Sequence, residues 1–325
     1  MVEQALPGQN LDFSSERAEE LLAEPPLDIP ANTDEAWHKN IAKPSWLKIN
    51  MRTSSAYGSV NSTLKQKRLH TVCQGARCPN ISECWSQGTA AFMIMGDICT
   101  RGCAYCAVTK GRPAPLDEEE PEHFAQAVQR LDMKYVVLTS VTRDDLPDGG
   151  AAHFAAVIKA IKRVNPQVDI EVLIPDLSGD LQALDVILEA GPRVVNHNVE
   201  TVARLYGRLR PKGSYQRCMS ILRHAHECSA PGTLTKSGLM VGLGESNAEI
   251  MQVMDDLREQ GVELLTLGQY LRPSLKHVPV MRYRTPEEFL FYRHQGLAKG
   301  FRFVESAPLA RSSYHARSHV EALLK

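Results

Sequence analysis

AFMIMGDICTRGCAYC, residues 91–106, opens as an apolar run rich in β-formers and closes on Cys99, Cys103 and Cys106, spaced C-x3-C-x2-C. A second triad lies upstream in VCQGARCPNISECW, where Cys73, Cys78 and Cys84 are spaced C-x4-C-x5-C. Six of the eight cysteines thus fall between residues 73 and 106. Neither spacing repeats the C-x2-C clamps of structural zinc modules, where four ligands close a tetrahedron. Thiolate triads suit a cubane iron–sulfur cluster, whose four irons each need one outside ligand. Three thiolates leave the fourth iron open for another partner.

Working outward, the run at 91–99 is the first of six β-rich segments that recur every roughly 30 residues. The others are YVVLTSV (135–141), VDIEVLIPDL (168–177), RVVNHNVE (193–200), LTKSGLMVGLG (234–244) and LLTLGQYL (264–271). Helical patterns lie between them: EEPEHFAQAVQRL, AAHFAAVIKAIKRV, GDLQALDVILEA, SYQRCMSILRHAHE and NAEIMQVMDDLREQ. In the last, Ile250, Val253, Met254 and Leu257 recur at i, i+3, i+4 and i+7 and make one apolar face. Strands alternating with helices predict an α/β fold with a parallel sheet. Six units are too few for eight-stranded closure, so the expectation is a partial (β/α)6 TIM-type barrel with N-terminal and C-terminal extensions. An open flavodoxin-like sheet is the competing arrangement.

In βα barrels the loops at the carboxyl ends of the strands carry the chemistry. Cys99, Cys103 and Cys106 are expected directly after the first strand. Polar residues at later strand ends should face the same mouth: Thr139, Ser140, Thr142, Arg143, Asp144, Asn196, Asn198, Glu200, Lys236, Glu245, Gln269 and Arg272. Of these, Thr139, Ser140, Arg143, Asp144, Asn196, Asn198, Glu200 and Gln269 are the candidate cofactor contacts, because a polar cofactor would satisfy them.

Lys plus Arg (37) balances Asp plus Glu (38), so no global basic field argues for nucleic acid. No run approaches 18 apolar residues, and no charged segment followed by an apolar run opens the chain, so neither a membrane nor secretion is expected. A reducing cytoplasm, where thiols stay free for metal, fits best. Residues 1–45 read as an acidic, loosely ordered arm, with Ser14 or Ser15 capping a short helix through Leu22. Residues 46–90 form an extension carrying the upstream cysteines, with Trp46, Leu47, Ile49 and Met51 docking the arm and Lys65, Lys67 and Arg68 on a solvated face. The barrel is expected over 91–272 and a C-terminal extension over 273–325. There Thr285-Pro286-Glu287-Glu288 reads as a helix start, and FRFVESAPL as a short extended segment leading to Arg311-Ser312-Ser313-Tyr314.

The C-x3-C-x2-C triad, with Tyr105 before its last cysteine, resembles the signature of the radical S-adenosylmethionine superfamily. Together with the upstream triad, NHNVETV, GQYLRPS and RSSY, it is similar to the lipoyl synthase family over about residues 40 to 320. That resemblance implies two 4Fe–4S clusters. Cys99, Cys103 and Cys106 would hold the one that cleaves S-adenosylmethionine; Cys73, Cys78 and Cys84 would hold an auxiliary one, capped by a serine. An extended tail would point Ser312 and Ser313 to opposite faces, so one alone can reach the iron; Ser313 is the expected ligand. The implied reaction inserts two sulfur atoms at C6 and C8 of an octanoyl chain on a lysine of a lipoyl carrier domain, with the auxiliary cluster as sacrificial donor. Implied partners are 2-oxoacid dehydrogenase E2 subunits, the glycine cleavage H protein, a flavodoxin or ferredoxin, and an iron–sulfur carrier for cluster repair.

Cys218 and Cys228 read as packing thiols, since Cys218 shares a helical face with Ile221, Leu222 and Ala225. His197 reads as a hydrogen-bonded residue of the mouth. GLGES (242–246) lacks the lysine of a phosphate loop. The rival readings are a sulfur-inserting enzyme of the biotin synthase kind, which would not need the upstream triad, a two-cluster electron carrier, and a zinc-stabilised module.

Overall fold

The computed structural model describes residues 15–31, 37, 41–48, 55–67, 69–76, 78–86 and 90–323. Ser14, Ile49, Met51 and Arg68 lie outside them, as does the side chain of Lys65. Seven parallel strands follow one another in sequence order: β1 (Ala91–Ile94), β2 (Tyr135–Ser140), β3 (Asp169–Leu173), β4 (Val194–Asn196), β5 (Leu234–Val241), β6 (Leu264–Gln269) and β7 (Phe303–Ala307). Between them run α1 (Glu120–Arg130), α2 (Ala151–Val164), α3 (Leu181–Glu189), α4 (Tyr215–Cys228), α5 (Asn247–Glu259) and α6 (Pro286–Ala298). A doubly wound sheet would permute the strand order at a switch point. Strict sequence order instead means that every crossover lies on one side, as in a barrel wall. Consecutive helices α1 to α4 pack on one another as the outer layer.

Helix starts follow the local chemistry. Ser246 and Thr285 each cap a helix in a reciprocal box with Glu249 and Glu288, and Pro286 takes the first turn of α6. Ser214 and Asp180 accept from the backbone at the starts of α4 and α3. One apolar core lies between β1–β4 and α1–α3, and a second between β5, β6 and α4–α6.

Three expectations change. The run 91–99 is not one strand: β1 stops at Ile94, and Met95 and Gly96 turn the chain with φ of 65° and 85°. Buried Glu120 accepts the Met95 N–H at 2.9 Å and fixes that turn. Ile98–Cys99 then pairs with Thr109–Lys110, so the cysteine loop is closed by its own small ladder. Second, FRFVESAPL is a full seventh strand, paired from Phe303↔Leu264 to Ala307↔Gly268, and His70–Thr71 adds an antiparallel edge to β1. The sheet therefore runs on beyond residue 272. Third, residues 15–31 are not a loose arm. Leu21 and Ile29 are buried, the Leu27 N–H donates to Gly244 O (2.8 Å), and Asn247 Nδ2 donates to Leu21 O (2.7 Å). Glu24 pairs with Arg284 at 2.7 Å, and Arg272 Nη2 donates to the carbonyl of buried Trp37 at 2.6 Å. In the next segment Leu47 is buried and Trp46 is exposed, while Lys67 donates to Gln126 at 2.5 Å.

Inside the barrel, Glu171 on β3 is fully buried and bonded to Lys236 (2.9 Å), Tyr135 (2.7 Å) and Asn196 (3.0 Å). Lys236 thus belongs to the interior and not to the mouth. Lys236→Met strands the Glu171 carboxylate and should cost about 3–5 kcal/mol in denaturant unfolding. The double variant Glu171→Gln/Lys236→Met should recover most of this, and an equal loss in both would disprove the pairing. Among the described residues no helix is long and apolar enough to cross a membrane.

Candidate metal centre

The Cys99–Cys106 loop is pinned from three sides. Thr100 N–H donates to Thr142 O after β2 (3.0 Å), and Ala104 N–H to Leu209 O after β4 (2.9 Å). After β6, Val278 N–H donates to Ala104 O (3.0 Å) and His277 Nε2 meets Cys106 O (3.0 Å). Arg101, inside the loop, pairs with Asp144 and Asp176, each at 2.7 Å. Burial would raise the Asp176 carboxyl, but Arg101 and Arg217 outweigh it and hold it at about 2. The Cys99 sulfur accepts the N–H groups of Arg101 and Thr142, both at 3.4 Å. Such contacts tune the potential of a sulfur-ligated cluster.

Burial raises the Cys103 thiol, opposed by Arg210, and burial with its sister thiols pushes Cys106 up to about 12. Glu200 stands in the same neighbourhood, its carboxyl raised by burial and opposed by the Arg210 guanidinium. Asn198 connects the group: its Nδ2 donates to Glu200 (3.2 Å) and to Ser312 Oγ (2.7 Å), and its carbonyl accepts from Arg210 (3.2 Å). Asn198 Oδ1 and Ser140 Oγ are buried without a protein partner, so both are open to a polar cofactor.

The upstream triad lines one cavity. Cys73, Cys78 and Cys84 face it together with Asn80, Arg311, Ser313 and Tyr314. All eight cysteines are free thiols. Burial pushes Cys73 to about 11, and burial with the neighbouring thiols pushes Cys84 to about 12. Three thiols and one hydroxyl make a donor set that fits a cubane cluster with an oxygen cap. Taking up metal must release these protons, so anaerobic loading with iron and sulfide should climb steadily between about pH 6.5 and 8.5. Loading that is flat in pH would contradict protonated thiols.

The tail is a turn and not an extended strand. Tyr314 N–H donates to Arg311 O at 2.8 Å, which places Ser312 and Ser313 at its two central positions. Ser313 faces the thiol cavity, whereas Ser312 meets Asn198. Asn80 Nδ2 donates to Leu309 O (2.7 Å) and Tyr314 OH to Glu83 (3.2 Å), tying the tail to the cysteine-bearing segment.

Other expected contacts are engaged elsewhere. Thr139 donates to Leu173 O (2.9 Å), and Asp144 is taken by Arg101 and Thr100. Arg143 holds Asp145, Met95 O and Ala114 O. The Gln269 amide is used on Val241, Tyr270, Arg282 and Arg284 backbone groups, and Glu245 on the Gly242 and Leu243 N–H groups, while Asn196 donates through Nδ2 to Glu171 and keeps a buried Oδ1 without a protein partner. Cys218 is buried as expected, but bonded to His197 and Tyr206, each at 3.0 Å. Cys228 is exposed beside His224, which Asp185 holds at 2.6 Å. Arg210 was not singled out from the sequence, and Ser312 was weighed there only as the alternative to Ser313 for the cluster cap.

Residues 93–257 match the model of the Radical SAM superfamily, a span running from β1 into α5. The chain is thus a radical S-adenosylmethionine protein. Streptococcus suis SuiB bound to S-adenosylmethionine shares the fold, with a TM-score of 0.50 at 9% identity over 71% of this chain and 55% of that one. A lipoyl synthase of Rubrobacter xylanophilus is 52% identical over 86% of this chain and 87% of its own length. One from Caldanaerobacter subterraneus subsp. tengcongensis is 53% identical over 85% and 96%. The chain belongs to the lipoyl synthase family.

Proposed function

We propose that Cys99, Cys103 and Cys106 hold one 4Fe–4S cluster at the barrel mouth, and that Cys73, Cys78 and Cys84 with Ser313 hold the second. The reaction is insertion of two sulfur atoms, at C6 and C8, into an octanoyl group carried on a lysine of a lipoyl carrier domain. Bound at these sites, the clusters and S-adenosylmethionine supply a radical able to take hydrogen from an unactivated carbon, and the sulfur that replaces it. The observation that carries the assignment of ligands is the shared cavity of three upstream thiols and Ser313.

The chain's own residues do the positioning. Asn198 and Glu200 present polar groups to the cofactor, and Arg210 braces Asn198 through its carbonyl. Arg101, locked between Asp144 and Asp176, keeps the Cys99–Cys106 loop in place. The segment 46–90 brings the second set of thiols, and the tail after 273 brings the oxygen. We infer that the substrates are E2 subunits of 2-oxoacid dehydrogenases and the glycine cleavage H protein, in the cytoplasm. A flavodoxin or ferredoxin supplies electrons, and an iron–sulfur carrier restores the spent cluster.

Anaerobically purified protein should contain about eight irons with matching sulfide. With S-adenosylmethionine, a strong reductant and an octanoylated lysyl peptide it should release 5′-deoxyadenosine, and the peptide, as its dithiol, should gain the mass of two sulfurs. Zinc without sulfide, or a peptide unchanged in mass, would end the reading.

A further inference from the structure

The turn Arg311–Tyr314 stands between the two metal centres, and its two serines are used on opposite sides. Ser313 faces the upstream thiols. Ser312 Oγ lies 2.7 Å from Asn198 Nδ2, and Asn198 in turn touches Glu200 and, through its carbonyl, Arg210. The fit around Ser312 is close: a Cβ added at Gly238 would stand 2.6 Å from Asn198 Oδ1 and 3.0 Å from Ser312 Oγ. Adjacent residues of a hydrogen-bonded turn have a fixed angular relation, so anchoring one side chain anchors its neighbour.

We propose that Ser312 is a positioning residue whose bond to Asn198 sets where the Ser313 oxygen stands relative to the radical-generating mouth. It thereby sets how much sulfur is inserted for each radical formed. The inference rests on the ligand assignment above and adds a role for a residue outside that ligand set. A substrate radical formed at the mouth is productive only when the donor is within bonding reach, and a misplacement of about 1 Å is enough to cost most of the rate.

The test uses the full chain with both clusters, comparing Ser312→Ala with the parent and with Ser313→Ala. Ser312→Ala should keep parental iron and sulfide. Its ratio of 5′-deoxyadenosine to inserted sulfur should rise at least about threefold, because radicals are quenched before sulfur is met. The magnetic-resonance signature of the reduced auxiliary cluster should shift, and that of the mouth cluster should not. In metal-free protein, amide exchange over residues 311–314 should quicken by roughly tenfold, as expected for one lost hydrogen bond. A parental ratio with parental exchange would overturn the proposal. So would a loss of iron equal to that of Ser313→Ala, since Ser312 would then be a ligand. If the parent itself made no 5′-deoxyadenosine, the cluster assignment would fall, while the exchange result would still judge the contact.

Discussion

Gly268→Ala should abolish sulfur insertion while 5′-deoxyadenosine still forms. Gly268 lies on β6 where the tail passes across the strand, and a Cβ there would stand 2.1 Å from Ala310 O. The obstacle is a backbone carbonyl and not the end of a flexible side chain, so the tail itself must move by about 1 Å or more to restore van der Waals contact. The residues displaced, Ala310 onward, deliver Arg311 and Ser313 to the thiol cavity. The Cys99–Cys106 loop is held by bonds after β2, β4 and β6 that do not involve residues 310–314. Product mass and 5′-deoxyadenosine, measured on the same sample, separate the two centres. Full insertion by this variant would mean that the tail does not serve the auxiliary centre.

Cys103→Ala should do the reverse. It removes one of the three thiols at the mouth, so iron should fall from about eight to about four per chain, and no 5′-deoxyadenosine should appear. The upstream cavity contains none of the mouth cysteines, so it should keep its cluster and its spectrum. A variant still making 5′-deoxyadenosine would refute the ligand role of Cys103.

What the sequence made legible was what depends on neighbours along the chain. The cysteine spacings, the helix start at Thr285 and the strand–helix alternation are all local, and the helices of the first five units appear within a residue or two of the patterns that marked them. Contacts between distant segments were harder to see. Gln269, Thr139 and Arg143 sit at strand ends, as a cofactor contact would, yet each is claimed by backbone groups that no local pattern announces. Arg210 looked like any charged residue beside a turn until the fold brought it to the Asn198 carbonyl and the Cys103 neighbourhood. Phe303–Ala307 read as extended, but not as a seventh strand of the sheet, because it buries one residue, Val304, and shows no alternation. The described part of the acidic arm was misread for a related reason: Leu21, Ile29 and Trp37 are few, but all three join the second core, and Asn247 and Arg272, more than 200 residues on, bond the Leu21 and Trp37 carbonyls.

The cavity of Cys73, Cys78 and Cys84 is completed by residues 311–314. On the ribosome the closing serine emerges well after those thiols, since Ser313 follows Cys84 by 229 residues. At about 5–20 residues per second, the gap is on the order of ten to fifty seconds. During that interval three reactive sulfurs lack their wall, so this pocket can be furnished only once residues 311–314 have emerged, and oxidants met before then would find it open.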